Sequence, residues 1–228
     1  MVDDNLLKEL NPWKEIPVSA PFVLPHDKMH VDRYNEQLSI SNESYLHSEL
    51  YPEQYAGKFG AEIVLLGKCP GYSPDDASFH SGNTYKKLWK GNVSQSIEDY
   101  PLFLLHHELK NAPCFNWWYK KLKSLIEYSS LRIVAKKILE IQLFPYHCKK
   151  LRLNKSSKTI PSRGFAGKLV TYAVQRNALI IIMESEKLWK EHVPELHKYP
   201  NVFTVNSTRS GAVSPGNLPD GVFDIRAP

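Results

Sequence analysis

Ile63-Val64-Leu65-Leu66-Gly67-Lys68-Cys69-Pro70-Gly71-Tyr72 is the stretch on which the fold turns. Four aliphatic residues in a row, two of them β-branched, have the length and composition of a strand. A strand apolar at every position has both faces covered, as the buried strands of a parallel sheet do. Two glycines and a proline within positions 67–71 then end it in a tight loop, whose backbone a ligand can approach closely.

Three further runs have strand character: Ile138 to Leu143, Leu179 to Met183 and Val202 to Val205. Between them lie patterns near the helical period. Ile97 to Leu109 and Phe115 to Ile126 carry apolar residues on one face. Ser162 is placed to cap a helix reaching about Gln175, and Glu184 to His192 predicts another. Alternating strands and helices imply an α/β protein, a four-stranded, mainly parallel sheet between helices. The first 60 residues are rich in Pro, Asn, Glu and Tyr. They predict an extended arm with one helix around Val31 to Leu46, packed on the sheet. With no repeat, low-complexity tract or linker, residues 1–228 are expected to form one domain.

Hydrophobic residues make up 42% of the chain and charged ones 23%, which is ordinary for a soluble globular protein. No run approaches the roughly 18 apolar residues a membrane span needs. The opening residues lack a signal-peptide pattern, so the expected compartment is the cytoplasm and the expected state a monomer away from membranes. Cys69, Cys114 and Cys148 are scattered and odd in number, which argues against a disulfide framework and a cysteine-based metal site. His106-His107 lacks the spacing that puts two ligands on one helix face, so no metal and no cofactor are expected. Of Trp117 and Trp118, one is expected in the core and the other at a pocket.

The net charge of +5 is mild, but its distribution is not. Lys149, Lys150, Arg152, Lys155, Lys158, Arg163 and Lys168 fall in one stretch without an acidic residue. Such a stretch is either a solvated face or a surface for phosphates. In open α/β sheets, ligands bind beyond the carboxyl ends of the strands. Three loops there are polar or glycine-rich: Gly67 to Asp76, Phe144 to Lys150, and Asn206 to Gly211.

A strand followed by Gly-x-x-Pro-Gly resembles the first motif of the uracil-DNA glycosylase superfamily, nearest to the Gly-x-Asn-Pro-Gly of its mismatch-specific and single-strand-selective branches. Ser207-x-Arg209 is similar to the second motif of the latter branch, in the loop that enters the DNA minor groove. The order and spacing extend over residues 60 to 218. The resemblance implies a three-layer sandwich and a DNA or single-stranded partner. It also implies hydrolytic excision of uracil or another deaminated base after flipping. On this reading Gly67, Lys68, Pro70, Gly71 and Tyr72 form the base-binding loop and Phe79 stacks on the flipped base. Gln142 falls where those enzymes hold an Asn that reads the uracil edge. Asn206, Ser207 and Arg209 meet the base anion or phosphate, with Lys149, Lys150 and Arg152 on the strand backbone.

The chain also departs from the pattern. Cys69 stands where much of the family has Asp or Asn to hold water, and a thiol donates and accepts only weakly. Val205 or Asn206 occupies the place of the His that stabilises the leaving base. Asp75, Asp76, His80 and His147 are the groups able to supply a general base. Three readings follow: a glycosylase with a rearranged site, a catalytically silent nucleic-acid or nucleotide-binding module on the same scaffold, and an unrelated enzyme with Cys69 as nucleophile and His147 or His80 as its base.

Overall fold

The computed structural model describes residues 3–208 and 211–219. Among them the sheet has five strands: β1 (Tyr55–Ala56), β2 (Ile63–Gly67), β3 (Ile138–Gln142), β4 (Leu179–Ile182) and β5 (Val202–Thr204), in the order β1-β3-β2-β4-β5. β2 runs parallel to β3 from Ile63 opposite Ile138 to Gly67 opposite Gln142. On its other side β2 pairs in parallel with β4, and β4 with β5. Val64 to Leu66 and Ile180 to Ile182 are buried on both faces, as their uninterrupted apolar character requires.

Four strands were expected; the fifth, β1, is antiparallel to β3 and belongs to the N-terminal arm. Two residues are too few to show a period of two, so the strand left no pattern. It is part of a longer seam. The Gln142 N–H donates to the Gln54 carbonyl, the Glu53 N–H to Pro145, and the His47 N–H to His147. Residues 47–56 thus run back along β3 and the loop that follows it.

Among the described residues ten helices precede or connect the strands: α1 (Asp4–Glu9), α2 (Lys28–Asn35), α3 (Asp76–His80), α4 (Asn83–Val93), α5 (Pro113–Lys121), α6 (Lys123–Tyr128), α7 (Leu131–Lys137), α8 (Lys155–Lys158), α9 (Arg163–Gln175) and α10 (Glu186–His192). α9 buries Phe165, Ala166, Leu169, Val170 and Ala173 at helical spacing. It ends on Asn177 in the left-handed region, with Ala178 N–H bonding Ala173 and Asn177 N–H bonding Val174, a Schellman motif. Ser162 stands at its N-cap position but makes no side-chain capping bond; its own N–H is held by Asp27 Oδ1 at 3.0 Å.

Several helix expectations are corrected. Residues 97–109 form two 3-10 turns, Phe103–Leu105 and His107–Leu109, instead of one helix. Pro101 biases Tyr100 away from helical backbone, and Leu102 N–H bonds across to Ala135. The expected helix from Phe115 to Ile126 starts two residues earlier, with Pro113 at its first position, and breaks at Leu122 into α5 and α6. α2 stops at Asn35, far short of Leu46, because the Asn35 amide bonds both the N–H and the carbonyl of Leu46 and folds the chain back. α10 begins at Glu186, after Ser185 in the left-handed region.

The arm shares the core of the sheet: Leu7, Trp13, Leu24, Val31, Tyr34 and Leu46 are buried in the cluster that holds β2 to β4. Tyr146, just after β3, donates to Asp27 Oδ2 at 2.7 Å and ties arm to sheet. No helix among the described residues is long and apolar enough to cross a membrane.

Candidate functional site

The connection from β2 to β3 moves one way across the sheet, and those from β3 to β4 and β4 to β5 move the other way. Right-handed crossovers therefore place them on opposite faces, leaving a crevice at the carboxyl end of β2. A cavity of about 660 Å³ opens there. Its walls take Gly67 to Ser73 and Asp76 from the end of β2, Gln142 and His147 to Leu151 from β3, Met183 and Glu184 from β4, and Thr208 and Gly211 beyond β5. Pro113, Cys114, Trp117, Trp118 and Lys121 of α5 close the side.

The Gly67 to Tyr72 loop is held by backbone bonds. Gly67 O accepts from the Trp189 indole N–H at 2.9 Å, Lys68 O from Phe144 N–H at 2.9 Å, and Pro70 O from Cys148 N–H at 3.2 Å. Tyr72 stacks on His47 with ring centroids 3.4 Å apart. Gly67 leaves room for a close approach: a Cβ there would lie 2.7 Å from Gln142 Nε2 and nearer still to Oε1, so the Gln142 side chain would have to shift. The Gln142 amide thus packs against the end of β2. Its Oε1 is buried and accepts no hydrogen bond among the described residues.

Cys69 and Cys148 face each other with sulfurs 3.6 Å apart. The hydrogen bond to Cys148 and burial push the Cys69 thiol well up, although the Lys68 ammonium opposes them. A thiol held neutral is a poor nucleophile.

Below the loop is a buried polar cluster that the sequence did not announce as one site. Glu53, from the arm, accepts a hydrogen bond from the Tyr85 hydroxyl and lies 3.9 Å from His80 Nε2. Burial raises its carboxyl, and nearby His147 counteracts that. His80 Nδ1 accepts the Tyr51 N–H at 3.0 Å, and burial together with His147 holds the imidazole well below its ordinary value. His147 faces Gly71 O at 2.7 Å and Tyr51 O at 3.0 Å. Both partners are carbonyl oxygens, so the ring nitrogens are directed at acceptors rather than at Glu53. Asp76 Oδ2 accepts the Ser73 N–H at 2.6 Å, and burial raises its carboxyl above the usual range.

Glu53, His80 and His147 have the composition of a metal centre, with donor atoms within 4.8 Å of one another. The hydrogen bonds argue for another use. Because His80 Nδ1 is an acceptor, its one proton sits on Nε2, the nitrogen that faces Glu53, where an ion would have to be. With Nε2 protonated, His80 offers no lone pair toward Glu53, and at 3.9 Å the two groups are beyond hydrogen-bond distance.

The structure brings together Gly67, Lys68, Cys69, Pro70, Gly71, Tyr72, Asp76, Gln142, His147, Lys149 and Lys150 at one cavity. Other sequence candidates lie elsewhere. Asp75 is exposed at the start of α3, and Phe79 is half-buried on the same helix outside the cavity wall. Arg152 lines a neighbouring shallow groove with Asn42 to Ser44. Asn206 and Ser207 are exposed, and it is Thr208 and Gly211 that reach the wall. Arg209 lies outside the described residues. Trp118 is buried at 4% exposure while Trp117 stays 46% exposed, with the Lys121 ammonium 5.0 Å from its ring centre.

Glu53, Cys114 and Glu184 were missed as cavity residues. Only Glu53 carried a hint, as a lone carboxylate within Tyr51-Pro52-Glu53-Gln54-Tyr55. No protein-family model, curated protein or solved structure matches the chain.

Proposed function

We propose that the cavity receives a base turned out of a nucleic-acid strand, and that the protein is a glycosylase of the uracil-DNA type acting on uracil or another deaminated base. The observation that carries this reading is the Gln142 amide. A buried acceptor left unpaired costs about 1–3 kcal/mol, which a ligand donor recovers. A uracil-like imide offers an N–H to that acceptor, while the amide's own donor is turned to the Glu140 carboxyl. The indole of Trp117 and the glycine-lined loop offer apolar faces for a flat ring, and Lys68, Lys121, Lys149 and Lys150 surround the cavity with positive charge.

In the reaction, water adds to the sugar carbon as the N-glycosidic bond breaks. The bonding pair leaves on the base, which then takes up a proton. Asp76 is the base we assign to the water: it lines the cavity, and its carboxyl is raised toward a useful proton affinity. Cys69 does not suit that role, being a weak donor and acceptor already engaged with Cys148. That same observation favours a second reading, a binding module on this scaffold that leaves the glycosidic bond intact.

Excision from a uracil-containing single-stranded oligonucleotide separates the two. The glycosylase reading expects slow release by the wild type, loss in Asp76→Asn with binding retained, and faster release in Cys69→Asn. A tenfold gain corresponds to about 1.4 kcal/mol, the scale of one restored hydrogen bond. Binding without release in every variant establishes the module. Absence of both binding and release overturns both readings.

A further inference from the structure

We propose that Cys69 and Cys148 are a disulfide-forming pair, a modification site in the cavity wall that hydroperoxides convert. The two residues are 79 positions apart in sequence, yet their sulfurs stand 3.6 Å from each other. A disulfide bond is about 2.0 Å long, so the sulfurs need to close by roughly 1.6 Å. The backbone around them is already tied. Phe144 N–H bonds Lys68 O on one side of Cys69, and Cys148 N–H bonds Pro70 O on the other. These bonds hold the two loops in register, so neither sulfur has to search for its partner. Cys114, the third thiol, lines the same cavity but has no sulfur partner.

The order of events follows from access. Cys69 is partly exposed, whereas Cys148 is 0% exposed. The Cys69 thiolate attacks the terminal oxygen of a hydroperoxide, the O–O bond breaks, and the alcohol leaves with a proton, giving a sulfenic acid. The Cys148 sulfur then attacks that sulfur, its own proton leaves with the hydroxyl as water, and the S–S bond forms. Two thiols and one hydroperoxide become one disulfide, one alcohol and one water. Since burial and Cys148 hold the Cys69 thiol up, the first step should keep accelerating above the ordinary thiol pKa of about 8.5. The product removes both S–H groups from the cavity wall and fixes the Gly67 to Tyr72 loop to the loop after β3.

The experiment treats the full-length wild-type chain with a hydroperoxide, alkylates the remaining thiols under denaturing conditions, and maps peptides without reduction. The expected result is the loss of two of the three alkylatable thiols. One cross-linked peptide pair should join Cys69 to Cys148, with Cys114 still alkylated and the urea midpoint raised in the oxidised protein. In Cys148→Ser, the sulfenic acid has no partner, and dimedone should label Cys69 several-fold more than in the wild type. Three thiols still free, a different pairing, or over-oxidation of Cys69 with Cys148 left free would each overturn the proposal. So would equal dimedone labelling of wild type and variant.

Discussion

Gly67 and Gln142 show how one missing side chain shapes the cavity. Gly67→Ala drives a methyl into the Gln142 amide, and overpacking of this kind costs about 1–3 kcal/mol. Gln142→Ala removes the obstacle, so the double variant should lose less than the sum of the single ones. Urea denaturation of the four proteins gives the coupling directly. Glu140, on the same strand, is buried in the sheet with Oε2 unpartnered. Burial raises its carboxyl well above 4.5, so the folded state favours the protonated form. The stability this residue contributes is full below pH 4.5 and is lost as pH rises toward the folded value. Glu140→Gln cannot ionise, so its stability relative to wild type should climb from about pH 4 to pH 8. A difference that stays flat over that range would mean Glu140 is not held protonated.

At the scale of elements, the short strand β1 depends on the end of α4. Asn92 Oδ1 accepts the Gly57 N–H at 3.0 Å, and its Nδ2 donates to Tyr55 O at 2.9 Å. Gln95 repeats the device, accepting from Phe59 N–H and donating to Gly57 O. Gly57 itself sits at φ +123, where its missing Cβ would be 2.5 Å from Ile138 O. Asn92→Ala leaves the buried Gly57 N–H without a partner, at a cost of about 1–3 kcal/mol. It should also speed amide exchange across 54–57 more than in β4. The same contrast explains what was legible. β2 and β4 are apolar throughout and α9 is long and periodic, so local composition announces them. β1 exists because neighbours supply its hydrogen-bond partners, and no local pattern encodes a neighbour; at 97–109 the local signal was Pro101, which the apolar spacing masked.

Across the whole molecule, the basic stretch divides by environment. Lys149 and Lys150 are exposed beside the cavity, and Arg152 faces the adjoining groove. Arg163 instead lays its guanidinium 4.7 Å from the Phe144 ring centre and donates to the Lys158 carbonyl. If the lysines meet phosphates, log affinity for DNA should fall linearly with log salt. Changing Lys149 and Lys150 to Ala should then reduce the slope by about 0.7 to 0.9 per contact. Arg163→Ala should lower the urea midpoint and leave the slope unchanged. A slope insensitive to the lysines would make the stretch an ordinary solvated surface.

The α/β class, the parallel strands β2 to β5 and the loops that carry the cavity were determined by the sequence itself, because apolar runs and glycine punctuation act within a few residues. Which side chains meet was not. Glu53 reaches His80 and Tyr85 because residues 47–56 fold back along β3, and Cys69 reaches Cys148 because β2 and β3 are in parallel register. Buried polar partners are chosen by the need to satisfy donors and acceptors in three dimensions, a condition set by the assembled chain.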